Sequence, residues 1–422
     1  MDSMTGCNGP AKTSSEVPVM REETVVTKLV PINKKTDFSY GNEKAEKGSH
    51  YDVAHAYGEA IRKIFPDFVK IMEPYIYENI YAAFPELTDD FSPVISRMSE
   101  IKGQLNEVYV EEIEGLTDAL AKEGMPFAMD GVLSKEELCV AQFVPDILRG
   151  TQCSGVAAYG EKSETGQTVT LRILEWLMGN ENQMAKAHAV VHFKNGEESF
   201  TSYGVLSLLE VISATNTSGV FAGILDAGTE GIYSCEGKKS YTFELRYAIE
   251  HYKTAEEIAR HMNTQTKNFT YSHNIFVTDP KGAYVAEDCV DGEGVAGLRR
   301  ADSKLMKGLE WHHKNAIAVV NGYVLEGNKD KMTDSDHNMI RWKKFNERLS
   351  EYEKVSISDL EDIVTREDPN AYGAHLYSDY TYQMIAIDSE KGTVDIAFAP
   401  ATDDYPLKPK FVRVLDDLYR NK

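Results

Sequence analysis

The chain lacks any hydrophobic run long enough for a membrane-spanning helix. Such a helix needs about 20 predominantly apolar residues in succession, and no stretch of the 422 residues approaches this. The first 47 residues also lack the basic stretch followed by an apolar stretch that is typical of a secretory signal. We therefore expect no membrane insertion and a cytoplasmic location.

Positive charge is also scarce. Lys and Arg number 45 against 67 Asp and Glu, which gives a formal net charge of -22. A surface of this sign repels phosphate backbones and anionic lipid headgroups. The charge balance therefore predicts no nucleic-acid partner and no role at a membrane surface.

Cysteines are few, and their spacing shows no motif of paired cysteines. The five cysteines are widely spaced and include no Cys-x-x-Cys pair, so neither a disulfide framework nor a zinc site is indicated. They are Cys7, Cys139, Cys153, Cys235 and Cys289. We expect free thiols, no metal site and no cofactor.

The chain is rich enough in apolar residues, at 42%, to bury a large core. Residues 1–47 are polar and are predicted to be a flexible lead-in, residues 48–152 show helical periodicity, and residues 153–422 contain strand-like runs with helical stretches between them. The helical stretches lie near 243–262, 338–349 and 357–366. The strand-like runs are 155–159, 168–176, 185–193, 219–225, 274–277, 283–286, 316–320 and 383–387. Within the second segment, Ser134 to Glu137 has the form of a capping box and predicts a helix running toward Cys153, bent near Pro145. A helical segment followed by mixed strands and helices predicts an α+β fold.

The stretch RGTQCSGVAA places Cys153 where the helical pattern gives way to a strand. An internal thiol is commonly a buried apolar residue. None of the eleven histidines lies in a local signature of a Cys–His protease. If self-cleavage made Cys153 N-terminal, its own α-amino group, with a reference pKa of about 8, could serve as the base. The residues by themselves leave both alternatives open.

The segment from Gly48 to Gly58 resembles the opening motif of the isopenicillin-N and 6-aminopenicillanic acid acyltransferase family. Its members are N-terminal nucleophile (Ntn) hydrolases, which cut their precursors before a cysteine, and they are related to bile salt hydrolase, penicillin V acylase and acid ceramidase. The resemblance continues in order to Pro400. It implies an αββα sandwich of two antiparallel sheets between helix layers, preceded by the helical segment. It also implies cleavage between Gln152 and Cys153, with residues 1–152 and 153–422 remaining associated, and is compatible with a homo-oligomer.

The strand around Arg172 and Glu175 resembles the family's Gly-Arg-Asn-x-Asp motif, although Leu171 and Ile173 replace its Gly and Asn. The resemblance implies that Arg172 lowers the pKa of the Cys153 thiol and that Glu175, one methylene longer than the usual aspartate, orients the α-amine. Alternatively, both are polar residues on the outer face of an alternating strand.

Two further strands resemble those that stabilise the oxyanion in the family. Asp226 lies ten residues beyond Asn216, where relatives of the bile salt branch have Asn. An ionised aspartate cannot donate a hydrogen bond. Either Asp226 is protonated, or a neighbouring backbone N–H is the oxyanion donor in its place, or Asp226 has a structural role. Asn321 corresponds to an asparagine that holds the tetrahedral intermediate, or else forms an Asn-Gly turn. Asn216 itself could equally begin a turn.

The segment 334–341 resembles the family's Asp-Ser-x-x-Arg-x-x-Arg motif, with Ser335 as a possible helix cap, Asn338 in place of the first arginine and Arg341 as the second. Arg341 could bind an anionic part of the substrate, support the site, or be a solvated helix residue.

The resemblance implies a self-processing cysteine amidohydrolase or N-acyltransferase that cleaves a small-molecule linear amide through an acyl thioester on Cys153. The residues do not separate hydrolysis from transfer. The alternatives are a lipid-amide hydrolase of the ceramide or N-acylethanolamine type, and a non-catalytic binding protein with the same fold.

Overall fold

A computed structural model describes most of the chain. The described residues are 23–28, 49–84, 87, 90–122, 127–147, 153–194, 198–227, 235–290, 296–328, 332, 336–400 and 403–419. Gln152, Asp334 and Ser335, which the sequence singled out, lie outside them.

The described strands form two antiparallel sheets. The strands are β1 (Glu23–Lys28), β2 (Cys153–Ala158), β3 (Val169–Glu175), β4 (His188–Lys194), β5 (Phe200–Val205), β6 (Ser213–Asn216), β7 (Phe221–Asp226), β8 (His273–Asp279), β9 (Gly282–Asp288), β10 (Gly297–Arg299), β11 (Ala316–Val319), β12 (Thr381–Asp388), β13 (Thr393–Phe398) and β14 (Val412–Leu415). The larger sheet has the order β1-β4-β5-β6-β7-β8-β9-β10, and the smaller has the order β11-β2-β3-β12-β13-β14.

The described helices fall before and between these strands. They are α1 (His50–Ile64), α2 (Phe68–Ala83), α3 (Ser92–Lys102), α4 (Glu107–Leu120), α5 (Lys135–Ala141), α6 (Val144–Ile147), α7 (Gln183–Lys186), α8 (Tyr241–His251), α9 (Ala255–Gln265), α10 (Asp336–Ser350) and α11 (Ile357–Thr365).

The two sheets pack face to face between helix layers. Helices α8 and α9 cover the larger sheet, and α10 and α11 cover the smaller one. Thr170 of β3 donates its hydroxyl to that of Thr278 of β8 across the interface, at 2.9 Å. Gly155 of β2 allows close approach, because a Cβ there would lie 2.8 Å from the ring of Phe276. These layers confirm the expected α+β class and the αββα sandwich.

The helical segment before Cys153 contains a close helix crossing. Helix α1 packs along α4, and two glycines make this possible. A Cβ on Gly58 would lie 2.5 Å from the Cβ of Ala119, and one on Gly115 would lie 2.2 Å from the carbonyl oxygen of Tyr51. Gly58, which closes the opening motif, is therefore explained by packing.

Local signals gave several elements correctly and missed others. The capping box at Ser134 is present, with Glu137 as its partner, and the helix that follows is interrupted between α5 and α6. The helix expected over 243–262 is two helices, since Thr254 caps the start of α9. Strands β5, β6, β10, β13 and β14 were not predicted. Within the expected lead-in, Glu23–Lys28 forms an edge strand paired with β4.

Nothing in the described part of the chain combines the helix length and apolar character that crossing a membrane would require.

Candidate active site

Cys153 is the first residue of β2, an inner strand that pairs with β11 on one side and β3 on the other. Its side chain is fully buried. The small residues after it allow β2 to pack closely against the other sheet, as Gly155 shows. The strand thus places the Cys153 thiol inside the sandwich, between the two sheets.

The thiol of Cys153 lies beside a buried guanidinium. Nη2 of Arg172 is 3.7 Å from Sγ and also donates to the carbonyl oxygen of Ile224 at 2.6 Å. Gly223 leaves room for this side chain, because a Cβ there would lie 3.0 Å from Nε of Arg172. Burial raises the pKa of the Cys153 thiol, whereas the charge of Arg172 and the backbone N–H of Glu175 act in the opposite direction. Arg172 therefore lies where the sequence resemblance requires it.

The backbone of Cys153 is held on both sides. Its nitrogen donates to Oδ1 of Asn321 at 2.7 Å, and its carbonyl oxygen accepts from Nη1 of Arg341 at 2.9 Å. Nδ2 of Asn321 donates to the carbonyl oxygen of Asp226 at 2.6 Å. Because Oδ1 faces donors and Nδ2 faces an acceptor, the Asn321 amide has one favoured orientation. The nitrogen that cleavage would convert into an α-amine is thus positioned by Asn321.

Arg341 lies beneath Cys153 and is fully buried. Besides the Cys153 carbonyl, its guanidinium donates to Oδ1 of Asn321 at 3.0 Å and to Oδ1 of Asn338 at 2.7 Å. Nη1 also lies 3.4 Å from Oε2 of Glu175. These contacts are with protein groups that hold the nucleophile. The geometry favours the alternative of site support over a contact with substrate.

The Glu175 carboxylate faces Arg341 on one side and a serine on the other. Oγ of Ser378 donates to Oε1 of Glu175 at 2.8 Å. Burial raises the pKa of Glu175, while the charge of Arg341 and the Ser378 hydrogen bond oppose that rise. Glu175 is therefore a charge partner of Arg341, and both Arg172 and Glu175 are buried rather than solvent-facing.

Sequence reasoning gave no role to Ser378 or Asn338. Asn338 donates Nδ2 to the carbonyl oxygen of Asn321 at 2.7 Å, and only its place in the arginine motif could have drawn attention to it. Ser378 lies 203 positions from Glu175 along the chain, so no local pattern could have identified it.

Asp226 ends β7, and its backbone reaches the site. Its carbonyl oxygen accepts a hydrogen bond from Nδ2 of Asn321. This contact favours the structural alternative, in which Asp226 supports Asn321 through its backbone. Asn216, by contrast, forms a turn. Its Oδ1 accepts from the backbone nitrogens of Ser218 and Val220, each at 3.1 Å. The turn interpretation of Asn216 is the one that these contacts support.

The chain before Cys153 is held in place as well, at Asp146 of α6. Asp146 lies seven positions before Cys153. The carboxylate of this fully buried residue accepts four hydrogen bonds, all from neutral donors. The donors are Oγ of Ser240 at 2.6 Å, Oγ1 of Thr242 at 3.1 Å, the backbone nitrogen of Tyr241 at 3.1 Å and Oγ1 of Thr270 at 3.1 Å.

The preceding residue is held as well. The carbonyl oxygen of Pro145 accepts from the hydroxyls of Tyr241 at 3.3 Å and Tyr271 at 2.5 Å. Burial raises the pKa of Asp146 to about 6, although the four hydrogen bonds to its carboxylate act to lower it. The chain is therefore anchored immediately before and immediately after residues 148–152. No local sequence pattern marked Asp146.

The described residues contain no group of three or more His, Cys, Asp or Glu side chains that could hold a metal ion. The charged groups around Cys153 instead contact one another and the backbone. Their arrangement suits nucleophilic chemistry at a thiol, with buried cations next to sulfur and next to the Cys153 carbonyl.

No protein-family model matches the chain, and no curated protein matches it by sequence. Solved structures do. An N-acylethanolamine-hydrolyzing acid amidase ortholog from Caenorhabditis elegans is 12% identical, with 56% of this chain and 92% of that chain covered and a TM-score of 0.41. Penicillin V acylase from Agrobacterium tumefaciens is 13% identical, with 58% and 83% covered and a TM-score of 0.34.

A mutant form of conjugated bile acid hydrolase from Clostridium perfringens is 10% identical, with 63% and 98% covered and a TM-score of 0.37. Penicillin V acylase and the bile acid hydrolase are among the relatives that the sequence resemblance names. Since these TM-scores are below 0.5, we base no residue role on them and rely on the contacts around Cys153.

Proposed function

We propose that the chain is a self-processing cysteine Ntn hydrolase, an amidohydrolase or N-acyltransferase that cuts itself between Gln152 and Cys153. One observation carries the proposal. Cys153 begins an inner strand with its nitrogen bonded to Asn321, its carbonyl bonded to Arg341 and its sulfur beside Arg172. A structural thiol needs none of these three contacts, whereas a nucleophile that must become N-terminal uses all of them.

In the first reaction the substrate is the chain itself. Sγ of Cys153 bonds to the carbonyl carbon of Gln152, the bond from that carbon to the Cys153 nitrogen breaks, and the nitrogen takes up the thiol proton. Water then attacks the resulting thioester, which releases the Gln152 carboxylate and returns the thiol. Cys153 is left with a free α-amino group whose reference pKa of about 8 suits a base near neutral pH.

In the second reaction the α-amine accepts the thiol proton as Sγ attacks the carbonyl carbon of an amide. The leaving amine takes that proton, and the acyl group stays on sulfur as a thioester. Water completes hydrolysis, or a second amine completes transfer. In this scheme Asn321 positions the α-amine, and its Nδ2 group is the oxyanion donor that the resemblance implies.

The buried charges then have distinct tasks. Arg172 stabilises the thiolate form of Cys153, as a fixed cation next to sulfur does. Arg341 fixes the backbone of the nucleophile, and Glu175 balances the charge of Arg341 while Ser378 orients Glu175. Arg341 is therefore assigned to positioning, and Asp226 contributes through its carbonyl oxygen.

Contacts between the two segments support their association after cleavage. Glu112 of α4 pairs with Arg246 of α8 at 2.7 Å, with both side chains buried. Arg246 also pairs with Glu250 at 3.1 Å, and the hydroxyl of Tyr109 donates to Glu250 at 2.5 Å. Because separation would break the buried pair between Glu112 and Arg246, we expect residues 1–152 to remain bound to residues 153–422.

Intact mass spectrometry of freshly purified protein tests self-cleavage. The expected result is two chains, residues 1–152 and 153–422, that co-elute in size-exclusion chromatography. Cys153→Ala should give only the 422-residue chain. Cys139→Ala is the matched control, since Cys139 is also buried but contacts Met98 rather than charged groups, and it should be cut normally. An uncut wild-type chain would contradict the proposal and favour a non-catalytic binding protein.

The acyl thioester is the second test. Denaturing mass spectrometry after brief incubation with a panel of amides should show an acyl adduct on residues 153–422 that hydroxylamine removes. Adding an amine acceptor separates the two outcomes, because an N-acyltransferase forms the new amide whereas a hydrolase releases the acid. A cut enzyme in which iodoacetamide labels Cys153 no faster than Cys235 would argue against an activated thiol.

A further inference from the structure

A cleft of about 700 Å³ opens beside the end of β3 that carries Glu175. Its walls come from α2, from the loop after β3 and from two later loops. The lining residues are Glu78, Asn79, Tyr81, Ala82, Leu177, Met178, Gly179, Asn180, Asn182, Asp379, Tyr380, Asp403 and Tyr405. The size is that of a small-molecule site. A second cavity, which Gln167 and Ser389 line, lies toward the opposite end of β3.

The cleft lies beyond the end of the strand that pairs with Cys153. Cys153 pairs with Leu174 of β3, and the lining begins at Leu177, three positions further along, or about 10 Å of extended chain. The backbone nitrogen of Trp176 donates to the carbonyl oxygen of Tyr380, which joins the two sides of the cleft floor. A substrate lying in the cleft would therefore extend toward Cys153.

The lining carries negative charge only. Glu78, Asp379 and Asp403 contribute three carboxylates, and neither Lys nor Arg is among the lining residues. The contacts of two of them are with neutral groups, since Glu78 accepts from the backbone nitrogen of Asn180 at 2.9 Å and Asp403 accepts from Nδ2 of Asn182 at 2.9 Å. None of the three forms an ion pair with a described residue. Their charge is thus left uncompensated in a concave site, which attracts cations.

Aromatic side chains stand among these carboxylates. Tyr81 and Tyr380 are 37% and 61% exposed, and the faces of such rings bind ammonium groups. Tyr405 adds an independent indication. It is only 6% exposed, yet its buried hydroxyl has no hydrogen-bond partner among the described residues. Its surroundings include Asp379, Asp403 and Glu175, whose charges act on it.

A buried hydroxyl without a partner is costly, and a ligand that donates to it would remove that cost. A neutral alkyl chain would satisfy neither the carboxylates nor Tyr405. An ammonium group can approach the carboxylates, stack against the tyrosine rings and donate to the Tyr405 oxygen.

We propose that this cleft binds an ammonium-bearing group, and that the amide cleaved at Cys153 carries a positively charged amine at the end that occupies the cleft. The second half of this statement rests on the proposed function. The first half concerns binding alone and holds whether or not the chain cuts itself.

The test uses the full-length Cys153→Ala chain, so that binding is measured without self-cleavage. Hexylammonium, 1-hexanol and hexanoate are titrated by isothermal calorimetry at low salt. We expect hexylammonium to bind at least about tenfold more tightly than hexanol and hexanoate not to bind. Asp379→Asn should weaken hexylammonium binding about tenfold, and added salt should weaken it further because the carboxylate is exposed.

The matched control is Asp302→Asn, which removes an exposed carboxylate outside both cavities and should leave binding unchanged. Tyr405→Phe should weaken hexylammonium more than hexanol, because the ammonium donates the stronger, charge-assisted hydrogen bond, whereas a purely structural role of the Tyr405 hydroxyl would leave both affinities unchanged. Equal binding of hexylammonium and hexanol would overturn the inference. So would equal losses in Asp379→Asn and Asp302→Asn, since attraction would then come from the overall charge of the chain. Ammonium binding by Cys153→Ala, together with a wild-type chain that stays uncut, would retain the cleft and reject the proposed function.

Discussion

The chain is anchored on both sides of residues 148–152, and the two anchors are built differently. Before them, Asp146 accepts hydrogen bonds from three hydroxyls and one backbone nitrogen, all neutral. After them, Cys153 is held by Asn321 and Arg341, and Arg341 is paired with Glu175. One anchor contains a buried carboxylate bonded only to neutral donors, and the other contains charges of both signs.

This difference determines how each anchor responds to its surroundings. Neutral donors do not fully offset the cost of burying a carboxylate, so burial raises the pKa of Asp146 to about 6. At Glu175 the same cost is opposed by the full charge of Arg341. We therefore expect the anchor before residues 148–152 to be sensitive to pH, and the anchor at Cys153 to be sensitive to the loss of either charged partner.

Replacing Arg341 should have the largest effect on stability and on self-cleavage. Arg341→Met would leave Glu175 buried without its cation, which typically costs about 3–5 kcal/mol, and would also free the Cys153 backbone. Urea unfolding of the variant in the uncut Cys153→Ala background measures the stability loss, and intact mass in the wild-type background measures the loss of self-cleavage. Arg413→Met removes a half-exposed arginine paired with Asp395 and should cost less than about 1 kcal/mol. Equal losses in the two variants would refute the charge-balanced anchor.

The pH dependence of Asp146 should be the next largest effect. Its folded-state pKa of about 6 lies above the unfolded value of about 4, so the folded chain binds the proton more tightly. Its contribution to stability is therefore full below pH 4 and is lost as pH rises through 6, by up to about 3 kcal/mol.

Asp146→Asn should abolish that part of the profile. Unfolding free energies measured from pH 4 to pH 7 would then fall less steeply in the variant than in the wild-type chain, both in the uncut Cys153→Ala background. Parallel profiles would show that Asp146 does not titrate in this range.

The smallest effect should come from removing one donor of the neutral anchor. Thr270→Val deletes a single hydroxyl bonded to Asp146 and should cost about 1 kcal/mol while slowing self-cleavage several-fold. Thr170→Val is the matched variant, because it deletes a buried hydroxyl between the sheets, away from this anchor. It should lose similar stability and keep the wild-type cleavage rate in a mass-spectrometric time course. If both variants slowed cleavage equally, the anchor would have no specific part in it.

Short-range patterns were enough to predict much of the architecture. The change from helical to strand periodicity located β2 and β3, and Ser134 marked the start of α5. The order of motifs brought Arg172, Glu175, Asn321 and Arg341 into the same hypothesis, and the structure places all four around Cys153. Their individual partners were less predictable. The pairing of Arg341 with Glu175, rather than with a substrate, depends on how α10 packs on the smaller sheet.

The features that escaped prediction have a common cause. Ser378, Asp146 and Tyr405 act through groups distant in sequence, and nothing in their local sequence distinguishes them from other buried polar residues. Strands β5 and β6 were missed for a related reason, since their pairing with neighbouring strands supports them more than their own composition does.

The sequence alone determined the α+β class, the small residues of β2, and the position of a cysteine where the helical pattern gives way to that strand, because these depend on periodicity, side-chain size and backbone preference. Tertiary structure alone decided which amide holds the Cys153 nitrogen, that Arg341 pairs with Glu175, and that an acidic cleft opens beyond the end of β3. Those outcomes depend on where buried polar groups find partners when the two sheets close, and such partners come from any part of the chain.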